Sequence, residues 1–219
     1  MKVAIAQAFT WSNLRFILDG LLVTLEVAIV SIILSFIIGS ILGILRYLKI
    51  PILSLVVGIV VDIIRNLPLL LIIFFTYFAL PQIGIQFSIF WSAVVALTIF
   101  ESAMLSEIIR GGLLAVPKGQ MEAGISTGVT KGQTIFYIVL PQGLKLMVPP
   151  LVSQFVSLIR DTSLAVIISL PELTHNTKII YAQHPNTVLP MFFIMAFCYF
   201  IICYSLSTFS KRFEMSYSK

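Results

Sequence analysis

Glu101, Arg160 and Asp161 demand an explanation before anything else in this sequence, because each stands deep inside a run of apolar residues. A charge at the centre of a bilayer costs at least about 2.5–3.5 kcal/mol, so a group kept there answers to a structural partner or to a polar ligand. Glu101 has no cation near it in sequence until Arg110, and calls for another helix, water, or the ammonium group of a cargo. Gln154, Ser157 and Asp161 fall at i, i+3 and i+7, which stacks them on one helix face. Thr162 and Ser163 extend that polar run beside Arg160. The pattern points to a water-lined face, with an internal hydrogen-bond network that fixes helix packing as the alternative. Asp62 and Arg65, three apart, can pair on a helix just before a proline, Pro68.

Covalent chemistry finds no equipment here. His175 and His184 fall in an outer loop, where a lone histidine is usually just solvated, and no catalytic group, metal or cofactor is expected. Gly128-Val129-Thr130-Lys131-Gly132-Gln133-Thr134 lacks the lysine directly before Ser or Thr that a phosphate-cradling loop requires. If work is driven by ATP, the motor is another polypeptide. Cys198 and Cys203 sit five apart inside an apolar stretch and read as buried filler. The net charge of +5 comes from basic residues scattered at helix ends, which argues against nucleic acid.

The elements that position these groups are membrane helices. With 219 residues, 59% hydrophobic and 11% charged, and a mean hydropathy of +1.07, the chain carries more apolar surface than one water-soluble core can hide. About 20 apolar residues make a span, and about five stretches qualify: 20–45, 52–80, 88–109, 144–170 and 188–209. Runs such as Val27-Ala28-Ile29-Val30-Ser31-Ile32-Ile33-Leu34 are apolar on every side, unlike the alternating strands of a barrel. The expected fold is therefore all-α: one polytopic transmembrane domain over 1–219, with Phe9, Trp11 and Phe16 as interfacial anchors. The first 16 residues hold no uninterrupted apolar core and no cleavable signal is expected.

Positive charge sets the orientation. With the N-terminus outside, Arg46, Lys49, Arg110, Lys118, Lys131, Lys145, Lys211, Arg212 and Lys219 fall on the cytoplasmic side. Lys2, Arg15 and Lys178 fall outside, and Arg65 and Arg160 within the membrane. The C-terminus is then cytoplasmic, with Lys211-Arg212 stopping the last helix.

The inside segment 111–143 reads as structured. Pro117 suits a first helical position, Gly128 suits the left-handed residue past a helix end, and Thr130 and Gln133 have the spacing of a capping box. An apolar run follows and is expected to stop at Pro141. Breaks are also expected at Asn66-Leu67-Pro68 and Pro149-Pro150, and Gly39 and Gly43 form a small-residue packing pattern.

This segment resembles the permease signature of bacterial ABC importers: Glu-Ala-Ala, three residues, Gly, nine residues, Ile-x-Leu-Pro. Here it reads Glu122-Ala123-Gly124, Gly128 and Ile138-Val139-Leu140-Pro141 with every spacing kept and one departure, Gly124 for the second alanine. Ser106-Glu107-Ile108-Ile109-Arg110-Gly111-Gly112, Pro117-Lys118-Gly119-Gln120, Arg160-Asp161-Thr162-Ser163-Leu164 and Pro171-Glu172-Leu173 look like the polar amino-acid branch, and the stretch from Val152 to Ile179 looks closest to glutamine and glutamate permeases. Arg65-Asn66-Leu67-Pro68-Leu69-Leu70 looks like its Arg-Gly-Thr-Pro-Leu motif with two substitutions.

The resemblance implies a permease in a bacterial plasma membrane that moves a polar amino acid by alternating access. It would work with two cytoplasmic ATP-binding subunits, an extracytoplasmic solute-binding protein and a second permease subunit, identical or related. Lys118, Glu122, Ala123, Gly124 and Gly128 would couple to the ATPase. Arg160 would fork the cargo carboxylate, Glu101 or Asp161 would accept from its ammonium, and Gln154, Ser157, Thr162 and Ser163 would give neutral contacts. The rival reading is a secondary transporter or channel driven by an ion gradient, with Glu101 and Asp161 as its ion sites.

Overall fold

Nothing in the sequence from Trp11 to Leu48 interrupts a helix, and in the computed structural model this stretch is one, α1. The structure describes residues 9–217, with side chains through 208. Lys2, Lys211, Arg212 and Lys219 of the charge count thus lie outside the described side chains. α1 ends where Lys49 turns left-handed (φ 53°) and Pro51 forbids continuation. Ile52, with φ 66°, reverses the chain into α2, Leu53–Asn66. The predicted break follows: Leu67 is extended (ψ 142°), as a residue before proline prefers, and Pro68 caps α3, Leu69–Phe74. A π turn, Phe75–Ala79, and a 3₁₀ turn, Leu80–Ile83, complete that stretch.

The remaining helices are α4 (Ile89–Leu114), α5 (Lys118–Ser126), α6 (Lys131–Thr134), α7 (Leu140–Asp161), α8 (Leu173–Gln183) and α9 (Val188–Tyr217). Among the described residues there is no strand. Among the described residues four helical segments are long and apolar enough to cross a bilayer, and five if α2 and the stretch to Ile83 count as one broken span.

Three boundaries differ from the sequence reading. The apolar run does not stop at Pro141. A π turn, Ile135–Val139, joins α6 to α7, and its i→i+5 bond from Leu140 to Ile135 makes room for a ring that would clash with the carbonyl four residues back. Nor do Pro149 and Pro150 open a break, because α7 runs through both; interior prolines are tolerated in membrane helices, where neighbouring groups re-satisfy the freed backbone. The last helix continues to Tyr217, past Lys211 and Arg212.

The chain gathers in two compact units. One comprises the chain through Ile33, Pro68–Thr98 and Val156–Leu206; the other comprises Leu34–Leu67, Ile99–Phe155 and the residues from Ser207 on. In the first, Ile17, Leu173, Ile180 and Met191 form a buried cluster that Cys198 and Phe16 flank. Ala28, Leu158 and Ile159 form a second cluster beside Cys203. The two thiols therefore face different cores, as their spacing requires, and Phe16 packs inward while Phe9 and Trp11 stay exposed.

The segment around His175, taken as a loop in the sequence, is α8, tied down by polar contacts of its own unit. Thr24 Oγ1 accepts from the Leu173 N–H (3.1 Å), and Asn176 Nδ2 donates to the Phe16 carbonyl (2.8 Å). Glu172 caps α8: its carboxylate accepts from the backbone of His175 (2.7 Å) and Thr174 (2.8 Å) and from the Tyr199 hydroxyl (3.2 Å). It is fully buried, and burial pushes its pKa up to about 6 against the pull of those bonds. The fold thus favours the protonated acid. This contribution is complete below the usual value of 4.5, and is lost as the pH rises through about 6. The stability advantage over Glu172→Gln should shrink by about 2 kcal/mol between pH 4.5 and 7. Thermal melts of both proteins across that range check it, and a constant difference would contradict it.

In the second unit, Leu105, Ile109, Leu113, Val116, Val139, Met147 and Leu151 make the core. Gly39 and Gly43 let α1 approach α4: a Cβ would stand 2.8 Å from Leu105 Cβ at the first and 2.7 Å from the Ser106 carbonyl at the second. The small-residue pattern is thus a packing seam.

Candidate coupling segment and polar sites

The segment after α4 is built by its own caps. Pro117, with ψ 134°, stands just before α5 at the N-cap, one residue earlier than the sequence suggests. Thr127 closes the helix and Gly128 follows at φ 84°, a conformation that favours glycine. The capping box is complete: Thr130 Oγ1 accepts from the Gln133 N–H (3.3 Å), and Gln133 Oε1 accepts from the Thr130 N–H (3.1 Å).

α5 is held at its middle. Gly124 is buried, and a Cβ there would lie 2.4 Å from Thr134 Cγ2 and 3.0 Å from Ile138 Cδ1. Gln142 adds a hydrogen bond to Gln120 (3.3 Å) and one to the Ile138 carbonyl (2.8 Å). Lys118, Glu122, Ala123 and Gly128 remain exposed. Beside α5 opens a cleft of about 410 Å³, with Tyr47, Lys49, Met121, Glu122 and Lys131 in its walls.

Glu101 stands midway along α4, fully buried, with the Gln154 amide donating to both carboxylate oxygens (3.1 and 3.0 Å). These two candidates are brought together, both in the second unit. Ser157, Arg160, Asp161, Thr162 and Ser163 belong to the first. There α7 gives way at Thr162 to seven residues of 3₁₀ helix ending at Ser169, φ 60°. So long a 3₁₀ run is uncommon and marks strain or a hinge. Arg160 is exposed, Ser157, Asp161 and Ser163 are partly exposed, and Thr162 is buried with its hydroxyl on the Ile159 carbonyl (2.7 Å).

Sequence reasoning missed an ionic hub. Glu107 Oε2 accepts from Arg46 Nη1 (2.7 Å) and Arg110 Nε (3.1 Å), its Oε1 pairs with Arg110 Nη2, and Arg65 Nη1 lies 4.0 Å away. Asp62 meets Arg65 (3.9 Å), as its spacing allows, and also Arg46 (3.7 Å). Arg65, counted as intramembrane, thus shares carboxylates with Arg46 and Arg110. The i, i+3 spacing of Glu107 and Arg110 signals their pair, but nothing local signals Arg46. No group of three or more possible metal ligands occurs among the described residues.

Similarity to known proteins runs the length of this arrangement. Residues 35–219 match the family described as the binding-protein-dependent transport system inner membrane component. The probable glutamine ABC transporter permease protein GlnP of Bacillus subtilis is 57% identical over 210 residues, 95% of this chain and 96% of the relative. The L-cystine transport system permease protein TcyB of the same organism is 38% identical over 188 residues, 86% and 80% of the two chains. Among solved structures, one titled as an amino acid ABC transporter with histidines superposes with a TM-score of 0.87 at 28% identity, covering 94% of this chain and 95% of that one. The inward-facing MetNI methionine ABC transporter shares the fold, with a TM-score of 0.81 at 20% identity over 95% and 99% of the chains.

Proposed function

This chain belongs to the inner membrane components of binding-protein-dependent transport systems, and from that membership we propose that it is the permease of an ATP-driven importer for a polar amino acid, glutamine foremost. The 57% identity to the probable glutamine permease supports the cargo. The observation that carries the mechanism is the coupling segment: α5 is capped at both ends and pinned at Gly124, yet it presents Lys118, Glu122 and Ala123 outward.

Two cytoplasmic ATP-binding subunits engage that outward face. A second permease subunit completes the path, and an extracytoplasmic binding protein delivers cargo. The N-terminus lies outside and the C-terminus in the cytoplasm, consistent with the clustering of basic residues at one set of helix ends. The ATPases pull on α5, which packs through Gly124 against Thr134 and Ile138, so a displacement at α5 is felt at the start of the helical stretch that leads into α7. No bond is made or broken in cargo or permease.

Within the path, a zwitterion leaving water needs an opposite charge or several hydrogen bonds at each end. In the first unit Arg160 offers a planar fork to a carboxylate and Asp161 an acceptor to an ammonium; in the second, the Glu101–Gln154 pair is by itself a candidate acceptor. Ser157, Thr162 and Ser163 supply neutral contacts. Arg160→Gln and Glu101→Gln should leave the assembled complex intact while each lowers uptake at least about tenfold, the worth of one charge-assisted hydrogen bond, or shifts preference among amino acids. Uptake per assembled complex with several amino acids tests this. Unchanged rate and selectivity in both variants would place the cargo site elsewhere.

A further inference from the structure

The ionic hub of the second unit does more than join three helices, because its charges do not balance. Arg46, Arg65 and Arg110 face two carboxylates, Glu107 and Asp62. Glu107 is taken up by close bonds to Arg46 and Arg110, while Asp62 lies 3.7 Å or more from its guanidiniums with a side chain 59% exposed. These groups sum to one net positive charge spread over three guanidiniums, of which Arg46 is only 12% exposed.

A cleft of about 270 Å³ opens on this excess, with Arg46, Arg110, Asp62, Ser54 and Gly58 in its walls. Its position fits the edge of a bilayer. Arg46 is two residues from the end of α1 and Arg110 four from the end of α4. Beside the cleft, α2 presents Leu55, Ile59 and Ile63, each more than half exposed. A recess whose walls set two guanidiniums, Arg46 and Arg110, against the one carboxylate of Asp62, bordered by a bare apolar helix face, has the two chemistries of a lipid: an anionic head and acyl tails. Basic pockets between spanning helices bind such headgroups.

The geometry points to a binding site for an anionic glycerophospholipid, its phosphodiester seated on Arg46 and Arg110 and its acyl chains along the Leu55–Ile59–Ile63 face of α2. A zwitterionic amino acid would leave the excess charge unanswered, and free phosphate would leave the apolar face bare. The site stands on α1, α2 and α4 and does not depend on the import reading.

Gly58 gives a test that spares the charges. A Cβ there meets only Arg46, at 3.7 Å and 3.9 Å, which is ordinary contact. Gly58→Leu would thus fill the cleft and leave the ion pairs formed, whereas Arg46→Gln removes the charge itself. The full-length chain, purified in neutral detergent, is offered equal amounts of phosphatidylglycerol and phosphatidylcholine with the same acyl chains, and bound lipid is read by native mass spectrometry.

We expect phosphatidylglycerol to be retained at least about fivefold over phosphatidylcholine, the share of a single basic residue. Gly58→Leu and Arg46→Gln should bring the ratio near one. Equal retention of the two lipids by the unaltered chain would overturn the site. So would an undiminished preference in folded Gly58→Leu, or displacement of phosphatidylglycerol by inorganic phosphate or by glutamine at millimolar concentration.

Discussion

Gly124→Val should reduce ATP-driven uptake at least about tenfold while the chain still inserts in the membrane, because the substitution overpacks the joint that fixes α5, at a cost of about 1–3 kcal/mol. Even the first added atom has nowhere to go: it would lie 2.4 Å from Thr134 Cγ2 and 2.9 Å from Thr134 Oγ1. Thr134 cannot swing away, since its side chain is fully buried, β-branched and bonded through its hydroxyl to the Thr130 carbonyl (3.0 Å). α5 must lift instead, and its outward face moves with it.

The milder Gly124→Ala separates this account from one based on motif identity. Alanine would restore the usual third residue of the signature and add about 1 kcal/mol of helix propensity, so a motif argument expects improvement. The packing argument expects lower uptake and weaker retention of the ATP-binding subunits, with both recovered when Thr134→Ala is added. Co-purification and uptake for the two single variants and the double form the cycle, and a coupling of about 1–2 kcal/mol is expected. Full activity of Gly124→Ala alone would contradict the packing argument.

The same joint shows what was legible from the amino-acid sequence. Gly128 and the Thr130–Gln133 box act within four residues, so their spacing carried the turn and the cap without any tertiary knowledge. Gly39 and Gly43 signalled close packing, but not that Leu105 and Ser106 would be the surface approached. Gly124 read only as a departure from the signature, because the Thr134 it makes room for lies on the next element.

The prolines misled in a consistent way. Local rules stop a helix at Pro141 and Pro149, while the structure absorbs the first in a π turn and carries α7 through the second. Glu107 was quoted only as part of a motif, since the partner that makes it a hub, Arg46, is 61 residues away. Glu101 illustrates the opposite case. The cost of a mid-span carboxylate demanded a partner, and the face of α7 that includes Gln154 supplied one. What no spacing rule could supply is the 3₁₀ segment from Thr162 to Ile168, which arises where Arg160 and Asp161 end their helix.

The second large expectation concerns the source of energy. The stretch Gly128 to Thr134, with its two glycines and a lysine, is committed to a left-handed turn and a capping box, and its Lys131 is the first residue of α6. Its Thr130 and Gln133 amides are engaged in capping, and on the proposed reading this chain moves cargo only when an ATP-binding subunit acts on α5. An ion-driven carrier would instead need no partner at all, with Glu101 and Asp161 taking the ions. The two accounts differ by the whole of the transport signal.

The direct measurement is glutamine uptake into vesicles containing the purified chain, assembled with or without its partner permease, ATP-binding subunits and solute-binding protein, with ATP supplied on the cytoplasmic side. The account predicts uptake from the complete assembly with ATP, and background levels when either the ATP-binding subunits or ATP are withheld. Glutamine accumulation by the chain alone, driven by a proton or sodium gradient and indifferent to ATP, would contradict it.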